Sequence, residues 1–342
     1  MSTIISCIKT VGRGERGRQS LSFEQAYQVM TEYLAGDIDD DQMAMLMMLI
    51  RVNNETPQEI AGFVKAFQQQ VTPLDAEIDW PCYAGKRPQA GEPWHVLAAK
   101  ILADNGHKVL LHGYHNPQSD RIHAENVLVK LGIAQAHTLC DAQRLLDKYH
   151  IAYLPLEVFA PQAKTMLGWQ QRYGLRTPIN TVVRALNPAR ALTGVRGSFH
   201  PGFQQLHAEV EHWVGQTQHA VVSFKGQSGE SEYNPKVSQT VWVSQDSGVT
   251  SHYWQELQLD DLPVPGRCPL DTAPSVIQQM ANTVIETMSV ALFAQLQDRT
   301  AARAKALSYW QTYCDDREIH VRPHAPLHPS RRSHLCASAF RH

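Results

Sequence analysis

Two stretches decide how the chain reads: Asp79-Trp-Pro-Cys-Tyr-Ala-Gly-Lys-Arg87 and Val109-Leu-Leu-His-Gly-Tyr-His-Asn116. Each runs from a β-strand pattern into a loop at the head of a helix, the place where open α/β sheets hold anions and other ligands. The first loop carries Gly85 beside two cations, Lys86 and Arg87; the second carries His112 and Gly113. A glycine-permitted turn next to fixed positive charge suits a phosphate group. Outward from these loops, short β-like runs (108–112, 152–155 and 219–224) alternate with amphipathic stretches (95–105, 119–131 and 141–148). That alternation predicts an α/β fold with a mainly parallel sheet and helical crossovers. Further on, Asp246-Ser-Gly248 between two β-like runs predicts a hairpin over 239–254, and two helices, about 275–296 and 300–313, close the fold.

With 342 residues, 43% hydrophobic and 19% charged, the chain can bury a sizeable core as one large domain or two. A formal net charge of -2 predicts no general attraction to polyanions, so any contact with nucleic acid must come from local clusters of Arg and Lys. The six cysteines form no Cys-x-x-Cys pair, which fits reduced thiols in the cytoplasm rather than a disulfide frame or a zinc site. The start lacks a signal-peptide pattern. The longest apolar run, Met43 to Ile50, is far short of the roughly 20 residues a membrane span needs.

Before the two loops the pattern is helical. Residues 1–20 carry Lys9, Arg13, Arg16 and Arg18 against Glu15, which reads either as a solvated loop or as a polyanion contact. Ser22 is placed to cap a helix from Phe23 that Gly36 stops. A methionine-rich second helix starts at Asp39 to Asp41 and reads as packing or a dimer surface. Thr56-Pro57 with Glu59 caps a third, with Ile60, Phe63, Val64 and Phe67 at helical spacing. The last segment, 320–342, has four arginines, five histidines and no acid, and is expected to be a disordered tail.

The order and spacing of several motifs resemble those of the anthranilate phosphoribosyltransferases and their nucleoside phosphorylase relatives. They are Gly36-Asp37, Gln42-Met-Ala44 and Arg51-Val-Asn-Asn-Glu-Thr-Pro-Gln-Glu-Ile-Ala-Gly-Phe63; then Gly174-Leu-Arg-Thr177 with Asn180, Leu186-Asn-Pro188, Gly194-Val195, His200-Pro201 and Ala220-Val-Val-Ser-Phe-Lys-Gly226. The resemblance covers roughly residues 20–310. It implies a small helical, dimer-forming domain of residues 1–72 plus about 160–190, and a larger α/β domain of 73–159 and 191–316.

The motifs that face substrate in that family are altered. Its glycine-rich pyrophosphate loop corresponds to Cys82-Tyr-Ala-Gly-Lys-Arg87, where only Gly85 keeps its kind. Its Lys-His-Gly-Asn corresponds to Leu111-His-Gly-Tyr114, with Asn116 near. Its acidic magnesium pair falls at Ser231-Glu232, with Glu230 beside it. The arginine facing the anthranilate carboxylate corresponds to Gln170, with Arg172 its nearest cation. The Tyr-x-Gly-x-Arg loop, matched by Tyr83, Gly85 and Arg87, resembles that of the YbiB-type paralogues, which lack the tryptophan-pathway activity.

That resemblance implies a non-enzymatic homodimer that binds nucleic acid with little sequence preference and uses no cofactor. Its phosphate and base contacts are expected from Tyr83, Gly85, Lys86, Arg87, His112, Gly113, Tyr114, Asn116 and Arg172. The alternative is a glycosyl or phosphoribosyl transferase of altered specificity, with His112 and Asn116 at a phosphoribosyl pyrophosphate donor and magnesium on Glu230 and Glu232. Against both stand plainer readings. Adjacent cations are usually a solvated pair, a strand-end histidine is usually structural, Arg176 is expected to tie the helix after Gly174 to the helical domain, and Arg172, Arg184, Arg190 and Arg196 either line the cleft or cover the surface.

Overall fold

A computed structural model describes residues 2–215 and 220–319, so the expected tail lies outside the described residues. Four helices come first: α1 (Thr3–Val11), α2 (Phe23–Ala35), α3 (Asp40–Asn53) and α4 (Pro57–Gln69). Their ends follow from local chemistry. Ser22 and Gln25 form a reciprocal capping box on α2, and Gly36 ends that helix in the left-handed conformation at φ 86°. Thr56 and Glu59 cap α4 in the same way, and Glu59 also accepts the N–H of Leu21, tying α4 to the approach of α2. The expectation of a loop over residues 1–20 is corrected at its start. Ile4, Cys7 and Val11 recur on one face of α1 and are buried, so apolar spacing outweighs the local positive charge.

Seven strands form one sheet: β1 (Ile78–Cys82), β2 (Val109–Gly113), β3 (Ile151–Pro155), β4 (Thr193–Ser198), β5 (Ala220–Lys225), β6 (Gln239–Gln245) and β7 (Gly248–Trp254), in the order β3-β2-β1-β4-β5-β6-β7. The first five pair in parallel, while β6 and β7 add an antiparallel hairpin. Crossovers run through α5 (Trp94–Asp104), α6 (Leu139–Tyr149), the series α7 (Leu156–Phe159), α8 (Pro161–Tyr173) and α9 (Ile179–Val182), and α10 (Phe203–Val214). The long α11 (Ile277–Leu296) covers β4 and β5, and α12 (Arg299–Ile319) packs against α11 and α5.

One expected helix is absent. Residues 119–131 form turns and a short 3-10 stretch, Ala124–Val127, because Ile122 pairs with Lys86 as an antiparallel bridge and Asn126 caps the backbone at His123. The core divides into two clusters. One joins α1–α4, α8 and α9 to one face of β2 and β3; the other packs α5, α11 and α12 on the opposite face. Among the described residues no helix is long and apolar enough to cross a membrane.

Candidate anion site at the sheet switch point

The chain leaves β1 toward β2 on one side and later returns to β4 on the other, so β1 and β4 mark the point where strand order reverses. In open parallel sheets the crevice outside the carboxyl ends of such a pair is where ligands bind. A cleft of about 570 Å³ lies there, within the range of small-molecule sites. The loops after β1 (Ala84, Arg87), β4 (Phe199, His200) and β5 (Ser228, Gly229) form one wall, and Arg51 with Arg176, Thr177, Asn180 and Arg184 forms the other.

Five arginines thus line one cleft: Arg51, Arg87, Arg121, Arg176 and Arg184. Arg51 is paired with Glu55 at 3.1 Å, whereas Arg87, Arg176 and Arg184 have no carboxylate within ion-pair distance among the described residues. Burial, reinforced by Arg121 and Arg51, destabilises the charged form of Arg176, and burial does the same to Arg184. Such crowding of like charge is relieved by an anion. A larger open groove of about 890 Å³ lies beside Glu77 and Arg190, but it sits where the parallel strands begin, away from the switch point.

Beneath the cleft, loop and helix-start N–H groups of the kind that can bind an anion are taken by the protein's own carboxylates. The backbone N–H groups of Ala84 and Gly85 both donate to Glu230 Oε1, the former at 2.9 Å. Glu232 Oε2 accepts the His95 backbone N–H at 3.0 Å at the start of α5. Lys86 Nζ lies 2.6 Å from Glu232 Oε1, donates to Glu92 O at 2.8 Å and sits 4.2 Å over the Trp94 ring, with Lys86 and Glu232 both wholly buried. Burial alone would raise the Glu232 carboxyl, but Lys86 and His95 hold it below its usual range. Arg121 closes the arrangement by donating to Ala84 O, Gly85 O and Ser228 O at 3.0–3.3 Å.

Deeper still, a buried chain of charges runs through the sheet. Glu211 pairs with Arg196 at 2.7 Å, Arg196 with Asp79 at 2.6 Å, and Asp79 with His112 Nε2 at 3.1 Å, while His112 Nδ1 meets the Tyr83 hydroxyl at 2.7 Å. Burial would raise the Asp79 carboxyl, but His112 and Arg196 keep it below its usual range.

The sequence-derived contacts therefore separate. Arg87 faces the cleft. Lys86 does not, because Glu232 captures it inside the protein, so it is a correction. His112 and Tyr83 belong to the buried chain of charges. Gly85 is required by its turn, at φ 64° with a Cβ position 2.8 Å from Arg121 Cβ. Gly113 is a packing glycine, since a Cβ there would lie 2.3 Å from Cys82 O. Tyr114 packs against the core with Lys164 near its ring, and Asn116 makes a turn with Gln118. Arg172 is exposed beside Tyr173 at the end of α8. None of these three lines the cleft. Arg196 and Arg190 are likewise outside it, whereas Arg51, Arg121, Thr177, Asn180 and His200 are liners that only the fold brings in. Thr177 and Asn180 were signalled by the Gly174-Leu-Arg-Thr177…Asn180 motif, Arg51 and His200 by the motifs Arg51–Phe63 and His200-Pro201, and Arg121 by no motif.

Residues 5–71 match the glycosyl transferase family, helical bundle domain. The anthranilate phosphoribosyltransferase of Geobacillus stearothermophilus is 30% identical over 216 residues, 63% of either chain. The uncharacterized protein YbiB of Escherichia coli K12 is 27% identical over 187 residues, 53% of this chain and 58% of its own. These alignments span less than two thirds of the relatives' length. In structure, TrpD of Thermus thermophilus superposes with TM-score 0.67 at 20% identity, over 94% of this chain and 99% of its own. The Saccharomyces cerevisiae anthranilate phosphoribosyltransferase in complex with PRPP and Mg does so with TM-score 0.67 at 14% identity, over 93% and 98%.

Fold and helical-bundle match together define a scaffold of the anthranilate phosphoribosyltransferase kind. Within that class the chain is similar both to the anthranilate phosphoribosyltransferases and to YbiB. The expectation of a non-enzymatic nucleic-acid binder is overturned by the anthranilate phosphoribosyltransferases among these relatives, and Lys86, one of its expected phosphate contacts, is sealed inside the protein.

Proposed function

We propose that the chain is a glycosyl or phosphoribosyl transferase that takes a sugar diphosphate such as phosphoribosyl pyrophosphate in the arginine cleft and passes the sugar to an acceptor other than anthranilate. The observation that carries this reading is the gathering of Arg87, Arg121, Arg176 and Arg184 at the β1/β4 switch point. As the sugar–oxygen bond breaks, negative charge develops on the departing diphosphate, and fixed guanidinium groups in a partly dry cleft stabilise it. Gln170, in place of the arginine expected to meet an anthranilate carboxylate, is exposed and lies outside the cleft.

The expectation of no cofactor is not carried forward, because the yeast relative is described with PRPP and Mg. Magnesium belongs to the proposal as the companion of the diphosphate. Glu230 and Glu232 fit it poorly as protein ligands: of their four oxygens, only Glu230 Oε2 is uncommitted. No step is routed through the ion. A homodimer through the helical domain is also proposed, with Met45 and Val52 standing 56% and 69% exposed on α3. So is a cytoplasmic setting, in keeping with five free thiols among the described residues.

Calorimetric titration with phosphoribosyl pyrophosphate and magnesium tests the reading. Binding is expected, and Arg184→Met with Arg176→Met should weaken it roughly 10- to 100-fold for each charged contact removed. An absence of heat at millimolar donor would overturn it.

A further inference from the structure

The uncommitted oxygen of Glu230 has company. Cys82 at the end of β1, His95 in the first turn of α5 and Glu230 after β5 are all buried, and each offers one ligand atom within 4.8 Å of the others. His95 Nε2 lies 3.9 Å from Glu230 Oε2. Zinc bonds of 2.0–2.3 Å place neighbouring tetrahedral ligands roughly 3.3–3.8 Å apart, so a contraction of a few tenths of an ångström closes this pair on one ion.

Both of these atoms are buried without a hydrogen-bond partner, a condition that native proteins rarely leave unexplained. Their opposite ends, by contrast, are fixed. Glu230 Oε1 receives the two amides of Ala84 and Gly85, and His95 Nδ1 faces Glu232 Oε2 at 3.4 Å. A carboxylate behind the far nitrogen of an imidazole is the arrangement that orients a metal-binding histidine. Charge points the same way. Lys86 answers only one of the two buried carboxylates, and a divalent cation bound to a Cys82 thiolate and Glu230 would neutralise the remainder.

We propose that Cys82, His95 and Glu230 bind a zinc-type divalent ion that clamps the loop after β1 to the loop after β5 and to the head of α5. The sulfur, nitrogen and oxygen donor set selects zinc or cobalt over magnesium. Three protein ligands leave a fourth position for water or a ligand oxygen. When the thiol binds, its proton passes to solvent and the metal–sulfur bond replaces it. The site stands independently of the transferase reading.

The test uses the full, tag-free chain purified from zinc-supplemented medium. Elemental analysis should return close to one zinc per chain, falling at least tenfold in Cys82→Ala and in His95→Gln. Loading the chelated wild-type chain with cobalt(II) chloride should give a thiolate-to-cobalt absorption band, a readout that needs no folded variant. Zinc below a tenth of an equivalent with no such band overturns the proposal. Undiminished zinc in both variants overturns it as well.

Discussion

Replacing Lys86 by methionine separates a structural lysine from a ligand-binding one. The ammonium lies 2.6 Å from Glu232 with both side chains at zero exposure, and the Glu92 carbonyl and the Trp94 ring complete its surroundings. Methionine preserves the stem and deletes the charge, leaving a buried carboxylate with little beyond the His95 N–H as partner. Removing one member of such a pair costs about 3–5 kcal/mol. The entropy of unfolding of a chain this long is roughly 0.7 kcal/mol/K, so the melting midpoint should fall about 4–7 °C. The Lys86→Met/Glu232→Gln double variant should lose at least about 1 kcal/mol less than the two singles combined, because the stranded charge is gone. Differential scanning calorimetry measures the midpoints, and titration with phosphoribosyl pyrophosphate and magnesium measures donor affinity, expected within twofold of wild type. A Lys86→Met protein with an unchanged midpoint and tenfold weaker donor binding would refute the reasoning and return Lys86 to the cleft.

Other perturbations reach different parts of the molecule. Arg196→Met strands Asp79 and Glu211, both buried, and should cost about 3–5 kcal/mol in urea unfolding; a loss under 1 kcal/mol would show that neither carboxylate is charged in the fold. Gly113→Ala forces a methyl toward Cys82 O and Tyr153 Oη, 2.3 and 2.8 Å from the Cβ position, and should cost about 1–3 kcal/mol, with an unchanged urea midpoint counting against this packing role. His207 is held well below the free value of 6.5 by burial, then by Arg184 and Arg196. Above that pH folded and unfolded states both carry a neutral ring. Below it the unfolded chain takes a proton that the folded one refuses, so stability falls by up to about 1.4 kcal/mol per pH unit. His207→Gln should flatten that slope between about pH 6.5 and 5, and an identical slope would assign it elsewhere. Light scattering should find a dimer that Met45→Glu with Val52→Glu converts to monomer; a monomeric wild type ends that proposal.

Much of the fold was legible because it rests on local rules. The Ser22 and Thr56 capping boxes, the Asp246-Ser-Gly248 hairpin and the strand–loop–helix alternation are written in short spacings that act before any tertiary contact forms. Where a local rule met a distant partner it failed. Residues 119–131 have helical periodicity, but a bridge from Lys86 holds Ile122 in extended pairing. The basic opening segment hid the apolar face of α1.

The site divides along the same line. By its motifs and their order, the sequence alone determined the class of scaffold, the loop at Gly85 and the departure of its neighbours from small residues. Only the tertiary structure decided which charges meet. Glu230 and Glu232 lie some 145 residues from Gly85 and Lys86, yet they fill its loop amides and neutralise its lysine. The same folding assembles Cys82, His95 and Glu230 into one cluster that no Cys-x-x-Cys spacing announces, and leaves the unpaired arginines facing the cleft. The physical reason is that a buried charge must find a partner wherever the chain brings one, and sequence separation places no limit on where that is.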